Sequence, residues 1–400
     1  MLILVLNSGS SSIKYQLRQV PVPDDPLRAA DGPQSNGADD GGRVITGGLV
    51  ERIGDRAAGP DSVSDHAEAL ERIALAVNEA LDGQELDAVG HRVVHGGERF
   101  SAPVLIDNEI TRAIERLNPL APLHNPANVL GIRAITDKWP ALPQVAVFDT
   151  AFHRTLPEFA WRYAVPDVLY RNFGIRRYGF HGTSHEFVAH QAAKLLGVEL
   201  GAFCAVIAHL GNGASVAAIQ DGVSVDTSMG FTPLEGLVMG TRSGDIDPSI
   251  LVFLARQGMD ADEIDDLLNR DSGLQALAGN NDMRSVVESA EAGNHRAVLA
   301  LAVSSYRLAK YIGGYHVAVG GAQALVFTAG IGENSWQFRQ LVAGRLSALG
   351  IKLDDDANRK RSKEPRVIST ADSDIAVLVV PTDEERAIAE ATAAVVVSSR

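Results

Sequence analysis

Lys14 follows a turn of small residues, Asn7-Ser8-Gly9-Ser10-Ser11-Ser12, set between the apolar run 2–6 and a second alternating stretch, 13–17. Backbone N–H groups and hydroxyls in such a turn can approach an anion closely, and the lysine adds a positive charge, so a phosphate fits there. An ordinary polar hairpin turn reads the same way. The odds shift with a second copy at 206–218, VIAHLGNGASVAA, where Gly211-Asn212-Gly213-Ala214-Ser215 again joins two apolar strands. Two phosphate-type hairpins half a chain apart predict a duplicated domain with a nucleotide between the halves.

Other polar residues interrupt apolar segments. Arg92 lies in the strand-like run 88–97, which Gly96-Gly97 ends. It reads as a salt-bridged core arginine or as a fork for a carboxylate. His124 precedes Asn125-Pro126, a helix start with Asn as cap and Pro at the first position, so a contact at that N-terminus and a ligand role are equally open. Asp149-Thr150 ends the strand 144–148, the place where open α/β sheets put their chemistry, although Asp149 could instead cap a turn. In 178–185, Ser184 is placed to cap a helix running to Leu196, which leaves His181 without a local structural duty. Arg242 sits in the loop 230–248, which carries four glycines and closes on a second helix start, Asp247-Pro248. Ordered loops of that length are usually functional. Asp282-Met283-Arg284 opens a helical stretch. Leu325–Asn334 reads as a strand, a Gly330-Ile331-Gly332 turn and a helix from about Ser335. Thr382 to Glu385 has capping-box spacing, which makes Glu384 a first-turn acid unless it meets a metal in space.

These residues need rigid elements to hold them, and the chain is long enough to supply two domains. It has 400 residues, 46% of them hydrophobic. A helix over about 64–81 places Leu70, Ile73, Ala74 and Val77 on one face. The segment 21–42, rich in Pro, Gly and Asp, reads as a surface loop. A net charge of -14 argues against nucleic acid or an anionic membrane surface as partner. One cysteine, Cys204, in an apolar strand pattern predicts a buried inert thiol and a reducing compartment. No signal peptide and no run of membrane-spanning length is visible.

Taken together the motifs resemble the acetokinase family, of the acetate and sugar kinase, Hsp70 and actin superfamily. VLNSGSSSIK at 5–14 and GFTPLEGLVMGTRSGDIDP at 230–248 are similar to its two most diagnostic stretches. HRVVHGG at 91–97, FDTAFH at 148–153, YGFHGTSH at 178–185, HLGNGAS at 209–215, FTAGIGEN at 327–334 and PTDEE at 381–385 match further. The likeness departs at 21–42, which looks like an insertion, and at Asp383, where the family commonly has Asn.

The resemblance implies two duplicated actin-like, RNase H-like α/β domains, each a five-stranded mixed sheet with flanking helices. The boundaries would be 1–150 and 151–383, with a helix at 384–400 packing back on the first domain and the nucleotide in the cleft. It implies a cytoplasmic homodimer that transfers the ATP γ-phosphoryl group reversibly to acetate, with Mg²⁺ as cofactor and Mn²⁺ as substitute. Asn7 and Glu384 would hold the metal, and Ser10, Ser12 and Lys14 would line the phosphate turn. Arg92 would bind the acetate carboxylate, with Val94, Leu123, His124, Phe180 and Pro233 around the substrate. Asp149 would be the acid/base, and His181 and Arg242 would stabilise the transferring group. His209, Leu210, Gly211, Asn212, Gly213, Asp282, Met283, Arg284, Gly330, Ile331, Gly332, Glu333 and Asn334 would hold the nucleotide. Acetate is already ionised at neutral pH, so Asp149 suits a positioning role better than that of a base. A related acyl kinase and a non-catalytic ATP-driven switch are the alternative readings.

Overall fold

The computed structural model describes residues 1–9, 12–22, 42–54, 63–122 and 124–399. Ser10, Leu123 and most of the 21–42 segment lie outside the described residues. The chain divides into one unit made of Met1–Ala151 with Asp383–Arg400 and another made of Phe152–Thr382.

The first unit is built on β1 (Leu2–Ser8), β2 (Ser12–Gln19), β3 (Arg43–Glu51), β4 (Ala88–Val93), β5 (Val104–Leu105) and β6 (Gln144–Phe148), in the spatial order β3-β2-β1-β4-β6-β5. The second uses β7 (Ala205–Leu210), β8 (Ala214–Gln220), β9 (Val223–Thr227), β10 (Ala324–Thr328), β11 (Arg366–Val367) and β12 (Ala376–Val379), in the order β11-β12-β10-β7-β8-β9. Read from the opposite edge, the second order reproduces the first. In each, an antiparallel meander of three strands continues through two parallel strands to an antiparallel edge strand. The duplication expected from the two hairpins is therefore present strand by strand. The expected count of five strands per sheet is corrected to six among the described residues. The extra members are the two-residue edge strands β5 and β11, too short to leave a periodic signal.

β1 shows why the sheet is covered on both faces. Its side chains alternate, so Leu4 and Leu6 pack with Leu70, Ile73 and Val77 of the helix His66–Leu81. Ile3 and Val5 pack on the other face with Ile388, Ala389, Ala393 and Val396 of the helix Glu384–Ser398. That helix comes so close to β4 that a methyl group on Gly90 would collide with Thr392 Oγ1 and lie 2.8 Å from Ile388 Cγ2. In the second unit, Ile207, Ala217, Val326 and Leu378 pack against Val188, Ala189 and Ala192 of the helix Gly182–Leu196.

Several expected helix starts shift. Asn125 opens its helix rather than capping it, and the cap position is His124, whose side chain makes no capping bond. The helix at 182 starts ahead of Ser184, with His181 at the cap in the left-handed region (φ 58°). Gly330-Ile331-Gly332 is a helical turn, Ala329–Asn334, that follows β10 directly, with Ala329 left-handed (φ 62°). Asp383, and not Thr382, caps the helix Glu384–Ser398 by accepting from Arg386 N at 3.0 Å. For Asn125, Ser184 and Thr382 a distant partner claims the residue that local spacing nominated.

Candidate active site

In the first unit, β1 and β2 pair Asn7 with Lys14, and Gly9 N donates to Ser12 O at 2.7 Å to close the turn. The parallel register of β1 and β4 places Leu6 opposite His91, so Asn7 and Arg92 follow side by side. Asp149 leaves β6 with its N–H on Val93 O and its carboxylate buried. Arg92 donates Nε to Asp149 Oδ1 (3.0 Å) and Nη2 to Oδ2 (2.6 Å), and its Nη1 lies 3.4 Å from Asn7 Oδ1. Glu384 Oε2 is 3.7 Å from Arg92 Nε. Arg92, Asn7, Asp149 and Glu384 thus meet. Burial works against the Arg92 charge, but Asp149 and then Glu384 outweigh it and raise its pKa.

Three successive acids open the helix Glu384–Ser398, and each faces a different cation. Asp383 takes both ends of Arg18 (2.6 and 2.9 Å), Glu384 faces Arg92, and Glu385 takes Lys14 (2.5 Å). Acids at a helix N-terminus are favoured by its dipole. The departure at Asp383 has its account here, since Arg18 is almost fully buried and needs the charge.

Asn125, read from the sequence only as a cap, and Asn128, which carried no reading, fix the Arg92 strand end. Asn125 exchanges two bonds with the His95 backbone (3.1 Å each), and Asn128 accepts from Val94 N (3.1 Å) and donates to Ser8 O (2.7 Å). Their signal was the i, i+3 spacing of two asparagines on one helix face. Burial lowers the pKa of His91 to about 4 and of His95 to about 3.

In the second unit, Gly211 N donates to Gly213 O at 3.0 Å, giving a tight turn between β7 and β8. A methyl group on Gly213 would sit 3.5 Å from His181 Nε2 and 3.6 Å from Arg242 Nη1, so both expected charge stabilisers stand over this turn. His181 Nδ1 engages Ser215 Oγ at 2.9 Å, and its ring stacks on His209 at 4.2 Å. Arg242 Nη1 donates to Pro233 O at 3.1 Å. Ser184, not used as a cap, bonds His209 Nδ1 and Thr382 Oγ1, both at 2.8 Å. Phe180 is fully buried, and its carbonyl accepts from His153 Nε2.

Beside the turn opens a cavity of 820 Å³, lined by Gly211, Asn212, Asp282, Met283, Arg284, Gly330, Ile331 and Asn334, all named from the sequence. Ser335, named as a helix start, and Asn281, Val287, Glu288, Trp336, Gln337 and Arg361, which carried no motif, complete it. Asp282 caps the helix Met283–Glu291 and pairs with Arg284 at 3.0 Å. His209, Leu210, Gly213, Gly332 and Glu333 are not part of this lining. The carbonyls of Gly332 and Glu333 accept from buried Arg339, and the Glu333 side chain accepts from Thr382 N. Burial raises the Glu333 pKa.

The model of the acetokinase family matches residues 2–390. An acetate kinase of Arthrobacter sp. (strain FB24) is 70% identical over 404 residues, covering 100% of both chains. Among solved structures, Porphyromonas gingivalis acetate kinase is 41% identical with a TM-score of 0.88, covering 98% of this chain and 99% of its own. A propionate kinase from Francisella tularensis subsp. tularensis SCHU S4 is 40% identical with a TM-score of 0.86 and 98% coverage of each chain. With this likeness running the length of both units, the chain belongs to the acetokinase family, phosphotransferases that use a carboxyl group as acceptor.

Proposed function

We propose that this chain transfers the γ-phosphoryl group of ATP reversibly to acetate, giving acetyl phosphate and ADP, and that the residues described above carry the reaction. The observation that carries the reading is the pairing of Arg242 Nη1 and His181 Nε2 over the Gly213 turn. Phosphoryl transfer asks little covalent chemistry of a protein, so donors aimed at the equatorial oxygens do most of the catalysis. Arg92 spends one edge of its guanidinium, Nε with Nη2, on Asp149. The end-on edge, Nη1 with the second Nη2 hydrogen, would grip the acetate carboxylate, Nη1 giving up its long 3.4 Å contact with Asn7 Oδ1. Asp149 then orients Arg92 and takes no proton. Val94, apolar and buried just past β4, suits a methyl group.

The Asn7 amide oxygen and the Glu384 carboxylate are an oxygen-only pair, which fits Mg²⁺, a cation that keeps most of its shell for water and phosphate. Mg²⁺ bound there would neutralise phosphate charge. The adenine nucleotide is assigned to the 820 Å³ cavity. A homodimer is supported by the helix Ser249–Arg256, which buries none of its residues and exposes Ile250, Val252 and Phe253. Cys204 lies just ahead of β7 and is half-buried, which corrects the expected buried thiol, and as the lone cysteine it suits a cytoplasmic setting. Incubation with ATP, Mg²⁺, acetate and hydroxylamine tests the reaction, with hydroxamate as product. No hydroxamate with acetate, but product with propionate, would move the assignment to another acyl kinase.

A further inference from the structure

Arg242 belongs to a loop whose ends are tied by charged side chains that no step above uses. At its entrance, Arg177 Nη1 donates to the carbonyls of Thr227 (2.9 Å), Ser228 (3.2 Å) and Met229 (3.0 Å). Its Nη2 donates to Glu235 Oε1 at 2.6 Å. Tyr163 OH donates to the other oxygen of Glu235 and accepts from Phe231 N at 3.0 Å. Burial, above all, pushes the Tyr163 phenol above its ordinary value, so it stays a donor. At the exit, Asp245 Oδ1 accepts from Gly236 N (2.8 Å) and Oδ2 from Tyr311 OH (2.8 Å). Arg307 Nη1 ties the Gly236 and Asp245 carbonyls together at 3.1 Å each.

Gly236 and Gly244 both adopt left-handed backbone (φ 108° and 66°). A methyl group on Gly236 would lie 2.6 Å from Ser228 O, so the neck admits no side chain. Between the two ties, Arg242 Nη1 reaches back to Pro233 O, two residues before Glu235.

We infer that Glu235, gripped by Arg177 and Tyr163, is a positioning residue that sets where the Arg242 guanidinium stands. A two-oxygen carboxylate held by two donors has one orientation, and it fixes the backbone at 235 to that of 227–231. Misplacing a transition-state donor by about 1 Å can cost about 10²-fold in rate. The inference rests on the role given to Arg242 under the proposed function.

The test is a double-mutant cycle in the full-length chain. Glu235→Gln keeps the shape and removes the charge. It should lower kcat about 10²-fold with the KM for ATP unchanged. In an Arg242→Ala background the same change should cost almost nothing, because the residue it positions is gone. A merely structural Glu235 would cost the same in both backgrounds, and that result overturns the inference. So does a Glu235→Gln enzyme with wild-type kcat. An Arg242→Ala enzyme within a few-fold of wild type would instead remove Arg242 from the chemistry, and the inference with it. Should Glu235→Gln fail to fold, Tyr163→Phe, which removes one of the two donors, is read by the same cycle.

Discussion

Arg92 and Asp149 share two parallel hydrogen bonds, Nε to Oδ1 at 3.0 Å and Nη2 to Oδ2 at 2.6 Å, with the carboxylate buried. A carboxylate committed in this way holds a guanidinium plane, and acetate, already ionised at neutral pH, brings no proton for it to take. Asp149→Asn should therefore raise the KM for acetate and lower kcat, leaving the KM for ATP near wild type. Truncating a buried hydrogen-bonded charge partner costs about 2–5 kcal/mol, and most of that should fall on acetate. As a general base, Asp149 would instead contribute an ionisation to the pH profile of kcat. Loss of an acidic limb in Asp149→Asn would sink the positioning role.

Arg242→Ala should lower kcat by roughly 10³-fold or more, the range of phosphoryl-transfer arginines. The KM for ATP should change little, because Arg242 is not among the residues lining the 820 Å³ cavity. Steady-state kinetics in both directions checks this.

Gly90→Ala should loosen the helix Glu384–Ser398, since the added methyl meets Thr392 and Ile388. Overpacking costs about 1–3 kcal/mol, readable as a lower denaturant midpoint. Because this helix begins at Glu384, activity should fall at Mg²⁺ concentrations that saturate wild type. Adding Thr392→Ala should recover part of the loss, and an unchanged midpoint in Gly90→Ala would show that the helix does not rest on β4.

His91 and His153 are held to about 4 by burial, both in hydrogen bonds that need no charge. Their folded values lie below the unfolded one. The unfolded chain therefore binds the extra protons, and stability is lost as pH falls from about 6.5 towards 4. Above about 6.5 their contribution is complete. Buried Glu333, with its raised value, works in the opposite sense. Histidine C–H resonances followed by NMR should show these two rings neutral at pH 5.5, and a midpoint near 6.5 for either would contradict their burial.

Replacing Val94, buried at the end of β4, with Ala should narrow the preference for acetate over propionate, chiefly by improving propionate. One methylene in an apolar pocket is worth about 1–3 kcal/mol, or roughly 10- to 200-fold in kcat/KM. Wild type should use propionate poorly and butyrate hardly at all. A wild-type enzyme that prefers propionate would shift the substrate to that of the Francisella tularensis relative.

Much of this was legible because apolar runs and small-residue turns record a strand and the turn that must follow it. β1, β4, β7 and β10, and the residues at their ends, stand out in the chain for that reason. What stayed hidden depends on partners far away in sequence. Asn125 looks like a cap, but the His95 backbone claims its amide. Ser184 looks like a cap, but His209 and Thr382 claim its hydroxyl. Trp336 and Arg361 enter the 820 Å³ cavity from segments with no motif at all. Local spacing proposes a duty for such residues, and long-range packing reassigns it.

Ile3 and Val5 are covered by Ile388 and Val396, residues made some 380 positions later. A ribosome adding about 5–20 residues per second therefore leaves that strand face uncovered for about 20–80 seconds, while the rest of Met1–Ala151 and then the whole of Phe152–Thr382 are produced. The second unit can close on itself during translation, but the first cannot until the helix at 384–398 emerges. The nascent chain thus spends that interval with a sticky strand exposed, and chaperone demand should fall on the amino-terminal unit.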